Sequence, residues 1–160
     1  CDFWAVNVYT RQLINSRKEM FRFDRYEASS IHSLDVPYFS DDICPEVIYH
    51  CLNRLKDKPV LITENGIACK NDKYRIIYIA AVLQAVKQAM DSGVKVLGYL
   101  HWSLLDNWEW GTYTPTFGLA SVDHETYKRT LKPSGYFYGE IVENNALTLN
   151  VIKKYYSNNI

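Results

Sequence analysis

Three short apolar runs recur along the chain, at 3–10, 59–63 and 94–102. They are rich in β-branched and aromatic residues, which suit the half-buried surface of a pleated sheet. Each run is short and bounded by polar residues, glycine or proline, as strands are. The pattern therefore predicts three strands.

Longer segments with helical spacing follow the three runs. We predict the clearest helix over 71–93, with an Asn-Asp pair at its start and Gly93 at its end. Further helices are predicted over 41–57, with Asp41 or Asp42 as the cap, and over 133–147. The apolar face of the 71–93 helix is expected to consist of Ile76, Ile79, Leu83, Val86 and Met90.

Strand and helix thus alternate three times, which predicts an α/β fold with a parallel sheet and helices packed outside it. Residues 11 to about 40 show no sustained period and are predicted to form a long loop. No linker or internal repeat divides the sequence, so we expect residues 1–160 to belong to one domain.

Each predicted strand ends in polar or aromatic residues: "NVYT", "TENG" and "HWSLLDNWEW". In a barrel of parallel strands the active site lies at the carboxyl ends of the strands. Glu64 follows directly on the apolar run and is therefore a candidate catalytic carboxylate. The alternative is a surface carboxylate on a turn formed by Asn65 and Gly66.

The segment "HWSLLDNWEW" combines three tryptophans with carboxylate and amide side chains. Indole rings pack on the apolar faces of sugars, and carboxylates and amides bind the hydroxyls around the rim. Glu109, between two tryptophans, therefore favours sugar binding. The alternative is an aromatic cluster packed under the last helix, and His101 by itself is more typical of a buried core histidine.

Composition and charge exclude several other classes. Formal charge balances at zero and no basic stripe is interleaved with aromatics, so no nucleic-acid partner is expected. The longest apolar stretch is too short to cross a bilayer, so no membrane partner is expected either. The four cysteines have no metal-ligand spacing, and we expect neither a metal nor a cofactor. The absence of an Asn-x-Ser/Thr motif favours a cytoplasmic location.

The motifs together resemble the C-terminal portion of glycoside hydrolase family 1, the β-glucosidase family. The matching segments are "VNVYT", "PVLITENGI", "DKYR", "GYLHWSLLDNWEW" and "FGLASVD". The likeness extends from Asp2 to about Asn144. It implies a partial (β/α)8 TIM barrel, corresponding to the last three strand–helix units, strands 6–8, with the N-terminal units absent.

The resemblance also implies roles for particular residues. Glu64 would be the catalytic nucleophile, and Tyr9 would hydrogen-bond its carboxylate and help set its ionisation. Glu109 would bind the hydroxyls at C4 and C6 of the sugar, and Trp110 the hydroxyl at C3. Substrate binding is thus assigned in all to Asn7, Trp102, Glu109, Trp110 and Phe117.

The implied activity is that of a retaining β-glycosidase acting on β-glucosides or oligosaccharides in carbohydrate metabolism. The family's acid/base glutamate belongs to an Asn-Glu-Pro motif, which this sequence lacks. We therefore expect the isolated chain to be inactive and to need the missing N-terminal barrel half, from the same or a separate chain. The alternative is a non-catalytic carbohydrate-binding or scaffold fragment from a split or decayed gene.

Overall fold

A computed structural model describes residues 1–10 and 43–157, and the long loop predicted over 11–40 lies outside them. Three parallel strands form the main sheet in the order β1-β2-β3. They are β1 (Trp4–Asn7), β2 (Val60–Asn65) and β3 (Val96–His101). The predicted parallel α/β sheet is confirmed, although β2 extends two residues further than predicted.

Helices pack on one face of this sheet. The predicted helices form as α1 (Val47–Arg54), α2 (Asp72–Asp91) and α3 (Pro133–Asn144), while α4 (Leu149–Ser157) was not predicted. The Asn71 side chain accepts a hydrogen bond from the Lys73 backbone amide and caps α2 as expected.

The start of α1 differs from the prediction. Glu46 occupies its N-cap position and makes no side-chain cap bond. The predicted caps, Asp41 and Asp42, lie outside the described residues and five or more positions before the first helical residue. The prediction of an Asp cap for α1 is therefore wrong, because the helix begins later than its sequence pattern suggested.

The core consists of two clusters on either side of α2. Val82 and Ala89 pack towards the sheet and α1, whereas Ile79 packs on Phe137 of α3. Each fully buried aliphatic side chain contributes about 1.5–3 kcal/mol. Met90 is 46% exposed, contrary to the predicted face, because Ala89 occupies the buried position beside it.

A small antiparallel hairpin, which the sequence pattern did not predict, follows β3. It pairs β4 (Ala120–Val122) with β5 (Arg129–Leu131). Its connection to the core is direct, since the Lys132 backbone amide donates to the Leu119 carbonyl at 2.8 Å. The hairpin thereby joins the loop after β3 to the start of α3.

The opposite face of the main sheet is apolar and open. Leu97 and Leu100 on β3 are 51% and 53% exposed. Ala5 on β1 is also exposed, whereas Trp4 and Val6 on either side of it pack on the core beneath the helices. In the described part of the chain, no helix is both long and apolar enough to cross a membrane.

Candidate active site

Glu64 lies in β2, one residue before its end, at the carboxyl edge of the sheet. Its side chain is half-buried, and its carboxylate accepts a hydrogen bond from the Tyr9 hydroxyl at 2.9 Å. Its backbone carbonyl accepts from the Val8 amide at 3.0 Å, which extends the β1–β2 pairing past the end of β1. Glu64 is therefore held on a strand and not on the turn that the alternative interpretation required.

Tyr9 is the direct partner of the Glu64 carboxylate. Burial raises the pKa of the Tyr9 hydroxyl well above its usual value, and the hydrogen bond and charge of Glu64 raise it further. The hydroxyl thus stays protonated and acts as a donor at any physiological pH. Phe117 packs against the Tyr9 ring edge to face, with 6.2 Å between ring centroids, and limits its movement.

Trp102 and Glu109 form a second pair at the same edge. The indole Nε1 of Trp102, one residue past β3, donates to Glu109 Oε1 at 3.0 Å. Glu109 is only 4% exposed, and burial raises the pKa of its carboxyl, while hydrogen bonds from Trp102 and Asn107 act in the opposite direction. The negative charge of Glu64 raises the pKa of the Glu109 carboxyl further.

The segment between β3 and β4 folds back on itself and fixes these side chains. The Ser103 carbonyl accepts from the Leu119 amide at 2.9 Å. Asp106 accepts from the Gly118 amide and from Lys132 Nζ, both at 2.8 Å. Phe117 and Glu109 are consequently anchored by backbone as well as by side-chain contacts.

Trp110 lies at the tip of a tight two-residue turn. Glu109 and Thr112 exchange two backbone hydrogen bonds around it, at 2.8 and 3.2 Å. Both central residues have positive φ, 49° at Trp110 and 116° at Gly111, as a type I′ turn demands. The turn leaves the Trp110 side chain 87% exposed beside the buried Glu109.

Asn7 is the last residue of β1 and pairs with Glu64 in the β1–β2 register. Its Oδ1 accepts from Thr63 Oγ1 at 2.6 Å, and the same hydroxyl lies 3.0 Å from the Val6 carbonyl. Asn7 thus contacts the residue before Glu64 and not the carboxylate itself. Its side chain is exposed on the open face of the sheet.

Three supporting residues of this edge had no role assigned from the sequence. Gly66 is needed because a Cβ there would lie 1.8 Å from the Trp102 carbonyl oxygen. Arg75 is fully buried and donates to the carbonyls of Cys69 and Thr116 and to Asp72. Asn65, the residue that follows Glu64 in the chain, is buried. Arg75 belongs to the "DKYR" segment, which was the one signal available.

His101 proves to be the buried histidine that its sequence context suggested. Burial lowers its pKa to about 4, and the positive charge of Arg75 lowers it too. The imidazole is therefore neutral at pH 7. Its Nε2 lies 3.4 Å from the Phe117 carbonyl, so His101 supports the wall next to Tyr9.

No cluster of three or more His, Cys, Asp or Glu side chains suited to a metal ion occurs within residues 1–10 and 43–157. The carboxylates of Glu64 and Glu109 lie at one edge of the sheet with different hydrogen-bond partners.

The fold and the site define an α/β protein whose polar groups converge at the carboxyl ends of parallel strands, where such proteins bind their ligands. Within that class the chain belongs to glycosyl hydrolase family 1, whose model matches residues 1–147. The family assignment that the motifs suggested is thereby confirmed.

Named relatives agree with this assignment. The chain is 36% identical to β-glucosidase A of Thermotoga maritima, over 91% of this chain and 35% of that protein. It is 34% identical to a β-galactosidase of Sulfolobus acidocaldarius, over 91% of this chain and 32% of the relative. A β-glycosidase structure from Pyrococcus horikoshii superimposes with a TM-score of 0.80 at 35% identity, covering 97% of this chain and 37% of the other. The chain thus spans about a third of the length of these relatives.

Proposed function

We propose that the chain carries the nucleophile half of the active site of a retaining β-glycosidase. In such an enzyme one carboxylate attacks the anomeric carbon and forms a glycosyl-enzyme, which water then hydrolyses. A second carboxyl group protonates the leaving oxygen and later deprotonates that water. Glu64 takes the first role.

The observation that carries this proposal is the contact between Glu64 and Tyr9. A nucleophilic carboxylate has to be ionised and held in one orientation below the sugar. The Tyr9 hydroxyl, 2.9 Å from the carboxylate, donates a hydrogen bond to it and fixes the oxygen that it contacts. The other carboxylate oxygen has no partner on Tyr9 and is the natural attacking atom.

The Trp102–Glu109 pair supports binding of a sugar in front of Glu64. A buried carboxylate that already accepts from an indole keeps further acceptor positions for sugar hydroxyls. The exposed Trp110 ring offers an apolar surface beside it, and Phe117 and Asn7 complete the proposed pocket. The relatives named above are a β-glucosidase and a β-galactosidase, so we propose a β-linked glucoside or galactoside as substrate.

Within residues 1–10 and 43–157, no carboxyl group fits the role of the acid/base. Glu109 lies at the same edge of the sheet as Glu64, but its indole bond and burial suit hydroxyl binding better than proton transfer to a leaving group. We propose that the acid/base group and the remaining barrel units belong to a segment equivalent to the two thirds of β-glucosidase A that this chain does not match. The open apolar face, with Leu97 and Leu100, is where those units would pack.

A chimera tests the proposal: this chain replaces the matching third of the Thermotoga maritima β-glucosidase A. We expect the chimera to hydrolyse 4-nitrophenyl β-glucoside with retention of configuration. Glu64→Gln should reduce kcat by about 10⁴-fold or more, as loss of a nucleophile does. The matched control is Glu143→Gln on the exposed side of α3, which should change kcat less than about twofold.

A folded chimera that binds glucose but releases no product would favour the alternative, a non-catalytic carbohydrate-binding or scaffold protein. An active chimera in which Glu64→Gln keeps most of the activity would show that the nucleophile is elsewhere. In either case the role proposed for Glu64 would be wrong. The isolated chain is expected to show no turnover, because its sequence lacks the Asn-Glu-Pro motif to which the family's acid/base glutamate belongs.

A further inference from the structure

Asn65 directly follows Glu64 and is buried, with 1% of its surface exposed. Its Nδ2 donates to the Val8 carbonyl at 2.6 Å and to the Tyr78 hydroxyl at 3.1 Å. Its Oδ1 accepts from the Tyr99 hydroxyl at 2.9 Å. Both donors and the acceptor of the amide are therefore used, as burial of a polar group requires.

The direction of these bonds follows from the partners. The Val8 carbonyl can only accept, so the amide nitrogen must face it. The second amide hydrogen then points to the Tyr78 oxygen, whose own hydrogen is left to donate to the Tyr9 carbonyl at 3.2 Å. A single chain of hydrogen bonds thus runs from Asn65 through Tyr78 to the backbone of Tyr9.

Tyr9 needs such support because it lies past the end of β1. The last residue of that strand is Asn7, and the strand register shifts between Val6 and Asn7. The Val8 amide still bonds to Glu64, but the Tyr9 backbone has left the regular ladder. Two of the contacts that hold this segment, at the Val8 and Tyr9 carbonyls, come from side chains of Asn65 and Tyr78.

Asn65 also connects the other side of the site. Its backbone carbonyl accepts from the Trp102 amide at 2.8 Å, and Trp102 in turn holds Glu109. One residue thereby links the strand end that carries Tyr9 to the strand end that carries Trp102. Tyr78, 4% exposed, anchors the arrangement to α2.

We propose that Asn65 and Tyr78 are positioning residues that place the Tyr9 hydroxyl on the Glu64 carboxylate. They act from behind, through the backbone of residues 8 and 9, and do not touch the substrate. The proposal rests on the proposed function of Glu64 and adds the device that keeps its partner in place. Without the Asn65 and Tyr78 side chains, the Val8 and Tyr9 carbonyls would lose these hydrogen bonds, and the Tyr9 hydroxyl could move away from Glu64.

Tyr78→Phe in the chimera is the sharpest test, because it removes one oxygen and keeps the buried ring. Tyr138→Phe is the matched control, since its hydroxyl also donates to a backbone carbonyl, that of Tyr99 at 3.0 Å, but does not contact Tyr9 or Asn65. We expect Tyr78→Phe to lower kcat about 3- to 30-fold and to leave KM within about twofold. The control should change both by less than about twofold.

A double-mutant cycle with Tyr9 separates positioning from general destabilisation. If Tyr78 acts through the Tyr9 hydroxyl, Tyr9→Phe should lower kcat at least as much as Tyr78→Phe, and Tyr78→Phe should add nothing in that background. Tyr138→Phe should have the same small effect in both backgrounds. An undiminished effect of Tyr78→Phe on kcat in the Tyr9→Phe background would overturn the proposal.

Crystal structures of the chimera and its Tyr78→Phe variant provide a readout that needs no turnover. We expect the distance between Tyr9 Oη and Glu64 Oε2 to lengthen beyond hydrogen-bonding range in the variant and to stay unchanged in Tyr138→Phe. A retained bond would contradict the proposal whether or not the chimera is active. Loss of activity in the parent chimera would instead count against the function proposed for Glu64.

Discussion

Glu64 and Glu109 show how two glutamates at one sheet edge acquire different properties. Glu64 is half-buried on a strand and receives a phenolic hydroxyl. Glu109 is 4% exposed, lies before a tight turn and receives an indole N–H. The difference in partner and burial is the physical basis on which we propose attack for Glu64 and hydroxyl binding for Glu109.

Glu109→Gln tests the second assignment in the chimera. The amide keeps the shape but weakens bonds that are worth about 1.5–3 kcal/mol each when charge-assisted, so kcat/KM for a glucoside should fall by ~10- to 1000-fold. A 4-deoxy or 6-deoxy glucoside lacks one of the hydroxyls, so the variant should lose less on it. Equal losses on the intact and deoxy sugars would show that Glu109 is only a structural carboxylate.

His101 predicts a pH dependence of stability. Its pKa in the folded state is about 4, below the value near 6.5 of an unfolded chain. The unfolded state therefore takes up the proton first, so the stability that the neutral imidazole gives is present above pH 6.5 and is lost between pH 6.5 and 4. The shift corresponds to about 3 kcal/mol.

Denaturant unfolding of the chimera and its His101→Gln variant at pH 7 and pH 4 measures this contribution. The free energy of unfolding of the histidine-containing protein should fall more over this interval, by about 3 kcal/mol relative to the variant. Parallel pH dependence of the two proteins would mean that His101 titrates normally in the folded state.

At the scale of elements, α2 is the helix that ties the site to the rest of the fold. Asp72 in its first turn accepts from the Ser134 backbone amide at 2.6 Å and from the Ser134 hydroxyl at 2.8 Å, at the start of α3. Arg75, one turn on, pairs with Asp72 and holds the carbonyls of Cys69 and Thr116. The loops after β2 and β3 are therefore both held by Arg75, the buried member of the Arg75–Asp72 ion pair.

Asp72→Asn and Asp91→Asn form a matched pair on α2. The first leaves the buried Arg75 without its counter-charge and should lower the free energy of unfolding by about 3–5 kcal/mol. The second removes an exposed pair with Lys87, in which both side chains are more than 60% exposed, and should cost less than about 1 kcal/mol. Similar losses, measured by denaturant unfolding of the chimera, would show that Arg75 is not a structural centre.

The sequence predicted most elements because their signals are local. The α2 period, its Asn71 cap and the apolar run of β2 each depend on residues close in the chain. The β4–β5 hairpin escaped prediction because strands of three residues show no alternation, and Arg75 and Asn65 because their partners come from distant segments. The pairing of Tyr9 with Glu64 came from the family resemblance, since no local pattern joins positions 55 residues apart.

At the scale of the whole molecule, the described sheet has three strands, two edges and one open apolar face. A complete (β/α)8 domain needs about 250 residues, and the chain spans about a third of its relatives. Exposed Leu97 and Leu100 fit the interior of a larger barrel better than a surface in water. We therefore expect the proposed nucleophile Glu64, its partner Tyr9 and the proposed sugar-binding pair Trp102 and Glu109 to act only within a larger barrel.

Trapping of the glycosyl-enzyme tests this account most directly. An activated 2-deoxy-2-fluoro-β-glucoside is added to the chimera. The fluorine slows both formation and hydrolysis of the covalent intermediate, because both steps pass through an oxocarbenium-like transition state, whereas the activated leaving group speeds formation alone, so the intermediate accumulates. Peptide mapping by mass spectrometry should place the fluoroglucosyl group on Glu64, and Glu64→Gln should remain unlabelled. A fluoroglucosyl group on another residue, on Glu109 for example, or hydrolysis of a β-glucoside with inversion, would contradict the assignment of Glu64 as the nucleophile of a retaining β-glycosidase.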